Sequence, residues 1–151
     1  MNILFIIADQ WRGECLSSLG HPLVKTPHLD ALAADGVTFK RHYGQAAPCG
    51  PSRACLYTGT YLHNNRSVLN GTPLDARFTN VALEARKVGY KPALFGYTDV
   101  TADPRQYASG DYVLTNYEAV LPGMAPVVHM NSDRKPWFAY LKSKGYDIPS
   151  N

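Results

Sequence analysis

Cysteine is scarce in this chain: Cys15, Cys49 and Cys55 are its only three. So sparse and odd a set argues against a disulfide framework and fits a reducing compartment, and without a Cys-x2-Cys pair it makes no thiolate metal knuckle. The five histidines, His21, His28, His42, His63 and His129, show no ligand spacing either. Charge runs are also missing. The 15 Lys and Arg residues are scattered and the net charge is only +3, which speaks against nucleic acid or a polybasic membrane surface as a partner. The longest clean apolar run, residues 3–8, is far too short to span a bilayer, and no basic segment precedes it as in a secretory signal. These absences lead us to expect a cytoplasmic chain.

What is present is enough for one domain with a real core: 151 residues, 45% hydrophobic and 18% charged. The stretch around which the rest is organised is Pro48-Cys49-Gly50-Pro51-Ser52-Arg53, running on to Leu56-Tyr57-Thr58-Gly59. Pro51 suits a helix start and Gly59 a helix stop. Cys49 is then expected just ahead of the first turn, where free backbone N–H groups and the helix dipole favour an anion. Arg53 lies one turn on and adds a fixed positive charge. The alternative for Cys49 is a small hydrophobe in a capped helix. Cys15 and Cys55 read as packing residues.

Residues 2–8 form a continuous apolar run with β-branched members, the pattern of a central strand of a parallel sheet buried on both faces. Ligands collect beyond the carboxyl ends of such strands, so Asp9, Gln10 and Arg12 fall where chemistry happens, although Asp9 also suits a cap or a turn. Thr26, Pro27 and Gly36 bound a short helix, and residues 37–39 alternate as a strand would. Residues 80–90 read as an amphipathic helix with Val81, Leu83, Ala85 and Val88 towards one face, closed by Gly89 and followed by a core strand at 91–96. That helix-to-strand step is the repeating unit of an α/β sheet. Beyond it, residues 112–114 are a candidate strand, 122–126 a loop, and 132–145 a helix capped by Ser132, started at Pro136 and with core-facing aromatics.

The Cys-x-Pro-Ser-Arg order with its Leu-x-Thr-Gly continuation resembles the signature of the sulfatases, within the alkaline phosphatase superfamily. So does the earlier Thr-Pro-x-Leu-Asp helix with its Gly-x-x-Phe exit. The resemblance implies an alkaline-phosphatase-like, mostly parallel sheet flanked by helices, with residues 1–151 forming the N-terminal part of the catalytic domain. It also implies that Cys49 is oxidised to formylglycine by a formylglycine-generating enzyme, and that Asp9 ends the first strand as a metal ligand. Where most sulfatases carry two adjacent aspartates this chain has Asp9-Gln10, a departure towards the phosphonate monoester hydrolases. The amide oxygen of Gln10 suits a hard cation. The same branch places a substrate-contacting asparagine in the context of Asn70, which alone would read as a turn residue before Gly71. Typical sulfatases read Gly-Lys-x-His where this chain has Gly96-Tyr97-Thr98-Asp99. Tyr97 is similar to the phosphonate monoester hydrolases, and is otherwise a half-buried aromatic with a hydrogen bond. In that branch a threonine is usual where Asp99 stands, and an acidic group near a dianion repels it.

The resemblance therefore implies a hydrolase of sulfate, phosphonate or phosphodiester small molecules. Its metal ligands are Asp9, Gln10 and converted Cys49 on a divalent cation, Ca2+ or Mn2+. One hydroxyl of the hydrated aldehyde attacks phosphorus or sulfur and the other expels the product. Cys49 and Arg53 are catalytic, and Asn70 and Tyr97 contact substrate. A homo-oligomer is compatible with all of this. The family's second metal-binding pair, Asp-His or Asp-Asn, has no counterpart after Tyr97, so the other reading is a truncated, catalytically inactive fragment or remnant of such an enzyme. A cysteine phosphatase needs Cys-x5-Arg, whereas Arg53 follows Cys49 by four positions.

Overall fold

The computed structural model describes residues 1–116, 118–130 and 134–148. They fall into two compact units, Met1–Tyr43 and Gly44–Asn151. No helix among the described residues is long and apolar enough to cross a membrane.

In the first unit, helix α1 (Pro27–Asp35) begins and ends as its proline and glycine predict. Its cap residue works differently from a standard cap. The Thr26 hydroxyl donates to Asp30 Oδ1 at 2.9 Å instead of accepting from the helix backbone. The Ser17 hydroxyl also binds Asp30, and the Ser18 N–H donates to it at 3.0 Å, which ties α1 to a short 3-10 turn at Ser17–Leu19. The expected central strand at residues 2–8 is not formed. The segment pairs with no strand among the described residues, and Leu4 and Ile6 are 85% and 72% exposed. Residues 37–39 likewise stay unpaired and exposed. A strand exists through its ladder, and an apolar pattern without a neighbouring backbone to bond gives only an extended chain.

The second unit carries α2 (Cys49–Thr58), α3 (Leu62–Asn65), α4 (Val81–Lys87), β1 (Ala93–Gly96), β2 (Ala125–His129) and α5 (Lys135–Ser143). β1 and β2 pair in parallel, from Ala93 opposite Ala125 to Gly96 opposite His129, with a register irregularity between Leu94 and Phe95. β1 lies within the expected strand, but β2 replaces part of an expected loop. Gly123 and Pro126 read as loop residues, yet a proline is tolerated where a strand has an open edge. The candidate strand at 112–114 is a 3-10 turn (Tyr112–Thr115) instead, because the Asp111 carboxylate accepts from the Val113 N–H at 2.9 Å and closes a local turn.

Ala54, Tyr57, Leu74, Ala82, Val100 and Leu121 form the core, with Phe78 and Met124 packed against it. α4 therefore buries Ala82, not the face predicted, and Val81 and Val88 are exposed. Its N-terminus sets that orientation. Asn80 caps Ala82 and Leu83 through Oδ1 and donates from Nδ2 to the Pro122 carbonyl at 3.1 Å. This draws the Gly123 turn so close that a Cβ there would lie 3.0 Å from the Leu83 nitrogen. α5 buries no residue, so its aromatics are not core: Trp137 and Tyr140 stack on one another in the open, with centroids 5.8 Å apart. The predicted cap Ser132 lies outside the described residues.

Candidate active site

Cys49 is the first residue of α2, one step inside the helix, and is half-buried. Pro48 precedes it after a cis peptide bond, and Gly59 closes the helix in the left-handed region at φ 66°, its N–H reaching the Cys55 carbonyl. Asn70 reaches the same spot from the loop after α3. Its Nδ2 donates to Cys49 Sγ at 3.2 Å, and its Oδ1 accepts the Gly50 N–H at 2.8 Å. One amide side chain thus both caps the helix and holds the thiol.

That cap changes the expected anion site. The Gly50 N–H bonds Asn70, Pro51 has none, and the Ser52 N–H donates to the Pro48 carbonyl at 3.1 Å. Little first-turn donor capacity remains for a ligand, so positive charge at this helix end falls mainly to Arg53 and the dipole.

Arg53 is 6% exposed. Its guanidinium lies 4.8 Å from the centroid of the Tyr97 ring and donates to the Tyr97 carbonyl at 3.4 Å. It also bonds the Tyr57 hydroxyl. Burial opposes its charge, but Tyr57, Tyr97 and Asp99 outweigh that and hold its pKa above the ordinary value. Burial in turn pushes the Tyr57 phenol up, partly offset by Arg53. Asp99 follows β1 by three residues, with a left-handed backbone at φ 51°. It is 4% exposed, and its Oδ1 has no hydrogen-bond partner among the described residues.

The sequence-predicted residues therefore gather in two pairs along α2, Cys49 with Asn70 and Arg53 with Tyr97. Asp9 and Gln10 belong to the other unit, in an exposed turn whose left-handed residue is Gln10 at φ 55°. Their carboxylate and amide oxygens are hard donors, the kind a calcium or manganese ion takes. Cys49 matches that set only once oxidised, because a thiol is a soft ligand and a hydroxyl is not. Cys55 packs as expected, buried and accepting from Asn65 Nδ2 at 3.3 Å, while Cys15 is half-buried.

Sequence reasoning missed two features of this unit. Tyr57 partners Arg53, and its i, i+4 spacing on α2 was the available signal. The second is an ion-pair cluster: Arg105 binds Asp103 at 2.6 Å and Asp75 at 3.0 Å beside a cavity of about 430 Å³ that Arg66 also lines. The Arg105 bonds, with the Ala76 N–H, hold Asp103 far below the usual carboxylate range.

A family model described as Sulfatase matches residues 1–146. The phosphonate monoester hydrolase of Agrobacterium radiobacter is 55% identical with a TM-score of 0.84, over 91% of this chain and 27% of that one. The phosphonate monoester hydrolase of Silicibacter pomeroyi is 48% identical with a TM-score of 0.86, over 99% and 30%. Among curated proteins, the multifunctional alkaline phosphatase superfamily protein PehA of Trinickia caryophylli is 39% identical over 99% of this chain and 30% of its own length. The chain thus spans about 30% of the length of such relatives. Its helices and small parallel β1–β2 sheet are a part of an alkaline-phosphatase-like fold, and the chain belongs to the sulfatase family.

Proposed function

We propose that this protein hydrolyses sulfate, phosphonate or phosphate esters with Cys49, converted to formylglycine, as the nucleophile. The observation that carries the reading is the double contact of Asn70, which fixes Cys49 at the start of α2 one turn from the buried Arg53. Conversion replaces sulfur by a geminal diol at the same Cβ. Asn70 Nδ2, the donor to Sγ, then orients a hydroxyl instead, and Arg53 supplies positive charge that does not have to reorganise during reaction. Tyr97 holds the guanidinium plane by stacking and would present its own hydroxyl to substrate oxygens. Asp9 and Gln10 offer hard oxygens that would suit a divalent cation, calcium or manganese, and the converted Cys49 would offer an oxygen of the same kind. When bound, such an ion supplies Lewis-acid stabilisation of developing negative charge. The likeness to two phosphonate monoester hydrolases, at 55% and 48% identity, supports phosphonate monoesters beside sulfate esters as substrates.

The test is made on the full-length protein, produced in a host that has the converting enzyme. The peptide spanning Cys49 is expected about 18 Da lighter than its thiol form, the loss that accompanies oxidation of this residue to the aldehyde. Turnover of an aryl phosphonate monoester or aryl sulfate is expected to fall at least about a thousandfold in Cys49→Ala, the scale of losing a nucleophile. An unmodified thiol, or unchanged turnover in the variant, overturns the reading. A folded protein with neither conversion nor turnover is the inactive remnant.

A further inference from the structure

We propose that Arg105 is a positioning residue for the Cys49 site: by gripping Asp103 and Asp75 together, it locks the turn that carries Asn70 to the segment that follows Tyr97. The inference rests on the functional reading above and deepens it by naming what sets Asn70, the partner of the nucleophile, against Tyr97. Cys49 and Arg53 stand four positions apart on one face of α2, so Asn70 on the first and Tyr97 on the second arrive from separate loops. Side chains that meet in this way are only as well placed as the link between their loops.

The turn that carries Asn70 is closed on itself. The Ser67 hydroxyl donates to the Thr72 carbonyl at 3.2 Å, the Leu69 N–H to the Thr72 hydroxyl at 3.1 Å, and the Thr72 N–H to the Leu69 carbonyl at 3.0 Å. It therefore moves as a unit about two roots. One root is α2, through Asn65, which accepts from the Ser67 N–H at 2.9 Å and donates to Cys55 Sγ. The other is residues 73–76, which lie along residues 101–105 downstream of Tyr97. Pro73 bridges Thr101 in parallel, the Leu74 N–H donates to the Thr101 carbonyl at 3.0 Å, and the Ala76 N–H donates to Asp103 Oδ2 at 2.9 Å. Arg105 spans both sides of this seam. It donates to Asp103 Oδ1 from its backbone N–H and Nε, at 3.0 and 2.9 Å, and to Oδ2 from Nη2 at 2.6 Å, while Nη2 also meets Asp75 Oδ2 at 3.0 Å. A planar guanidinium forked on one carboxylate and tied to a second fixes direction as well as distance. Asp103 is buried, so the bonds at that end are poorly screened. Between Tyr97 and the seam the chain is anchored: Thr98 and Val100 are buried, and the Thr98 hydroxyl is bonded to Ala119 and Leu121. The Tyr97 segment is thus the fixed side, and the Arg105 fork carries its position across to the Asn70 turn.

The experiment is a double-mutant cycle on the full-length, formylglycine-bearing enzyme, read as kcat/KM for one aryl phosphonate monoester and divided by the formylglycine content of each sample. Arg105 is no part of the apolar core and its side chain is 66% exposed, so Arg105→Ala is expected to fold. If Arg105 acts by placing Asn70, Arg105→Ala costs about tenfold or more on its own, and less than about threefold once Asn70→Ala has removed the side chain it places. A residue that only holds the fold together costs the same in both backgrounds. A loss at least about threefold larger with Asn70 present supports the inference, and any smaller difference overturns it. Should Arg105→Ala not fold, Asp75→Asn, which loosens the fork on the Asn70 side alone, goes through the same cycle by the same criterion. Both outcomes are read while Cys49→Ala remains inactive, whereas a Cys49→Ala enzyme that still turns over condemns the functional reading itself.

Discussion

Gly50 shows how tightly the Cys49 site is drawn at single-residue scale. An added Cβ there would lie 2.9 Å from Asn70 Oδ1 and 3.3 Å from Asn70 Cα. The second contact is with backbone, so it does not yield to a side-chain rotation. Gly50→Ala is therefore expected to push Asn70 off both the helix N–H and Cys49. Stability should fall by about 1 kcal/mol, the scale of a lost cap, read as a lower melting temperature. Turnover should fall further than that loss of stability explains, since the nucleophile loses its positioning group. The sequence disclosed Cys49 and Arg53 through local spacing. Asn70 was legible only by resemblance, because an asparagine before glycine is the commonest of turn residues and nothing local says that it reaches back 21 positions to a thiol. Asp99 was marked as out of pattern, but its burial belongs to the fold and no local signal carries it.

At the scale of elements, α4 and the turn before β2 depend on one asparagine. Asn80 is 3% exposed, satisfies two helix amides and donates to the Pro122 carbonyl. Asn80→Ala removes the cap and leaves a part-buried carbonyl unbonded, at a combined cost of about 2 kcal/mol. The expected result is a melting temperature lower by several degrees with ellipticity little changed, and Asn80→Asp, which keeps only the cap, should recover about half. Helix boundaries were the most legible elements, since Pro27, Gly36, Asn80 and Gly59 carry local signals that the structure obeys. Strands were the least legible. Residues 2–8 have a strand's composition without a ladder, and β2 has a ladder without a strand's composition, because pairing partners come from distant sequence.

For the molecule as a whole, acid sensitivity should centre on Asp103. Its carboxylate accepts from Arg105 and from the Ala76 N–H, which depresses its pKa well below the ordinary 3.8. A depressed acid stabilises the fold at pH values above its unfolded value, and that contribution drains away as pH drops from about 4 towards the folded value. Melting temperatures measured from pH 7 to pH 2 should fall most steeply below pH 4. Asp103→Asn should melt lower at pH 7 and flatten that acid limb, whereas an unaltered limb would assign the acid response elsewhere.

The open apolar segment at residues 3–8 has a consequence for the isolated chain. Ile3, Leu4, Phe5 and Ile6 are all more than half exposed, and the run holds no charge, proline or glycine to blunt it. Such a hexamer is the kind of sequence that stacks on copies of itself into fibrils, every unsatisfied amide finding its mate in the next molecule. Handled alone at high concentration, the polypeptide would be its own most available sheet neighbour, and dilution or a charged residue grafted into that run would keep it dispersed.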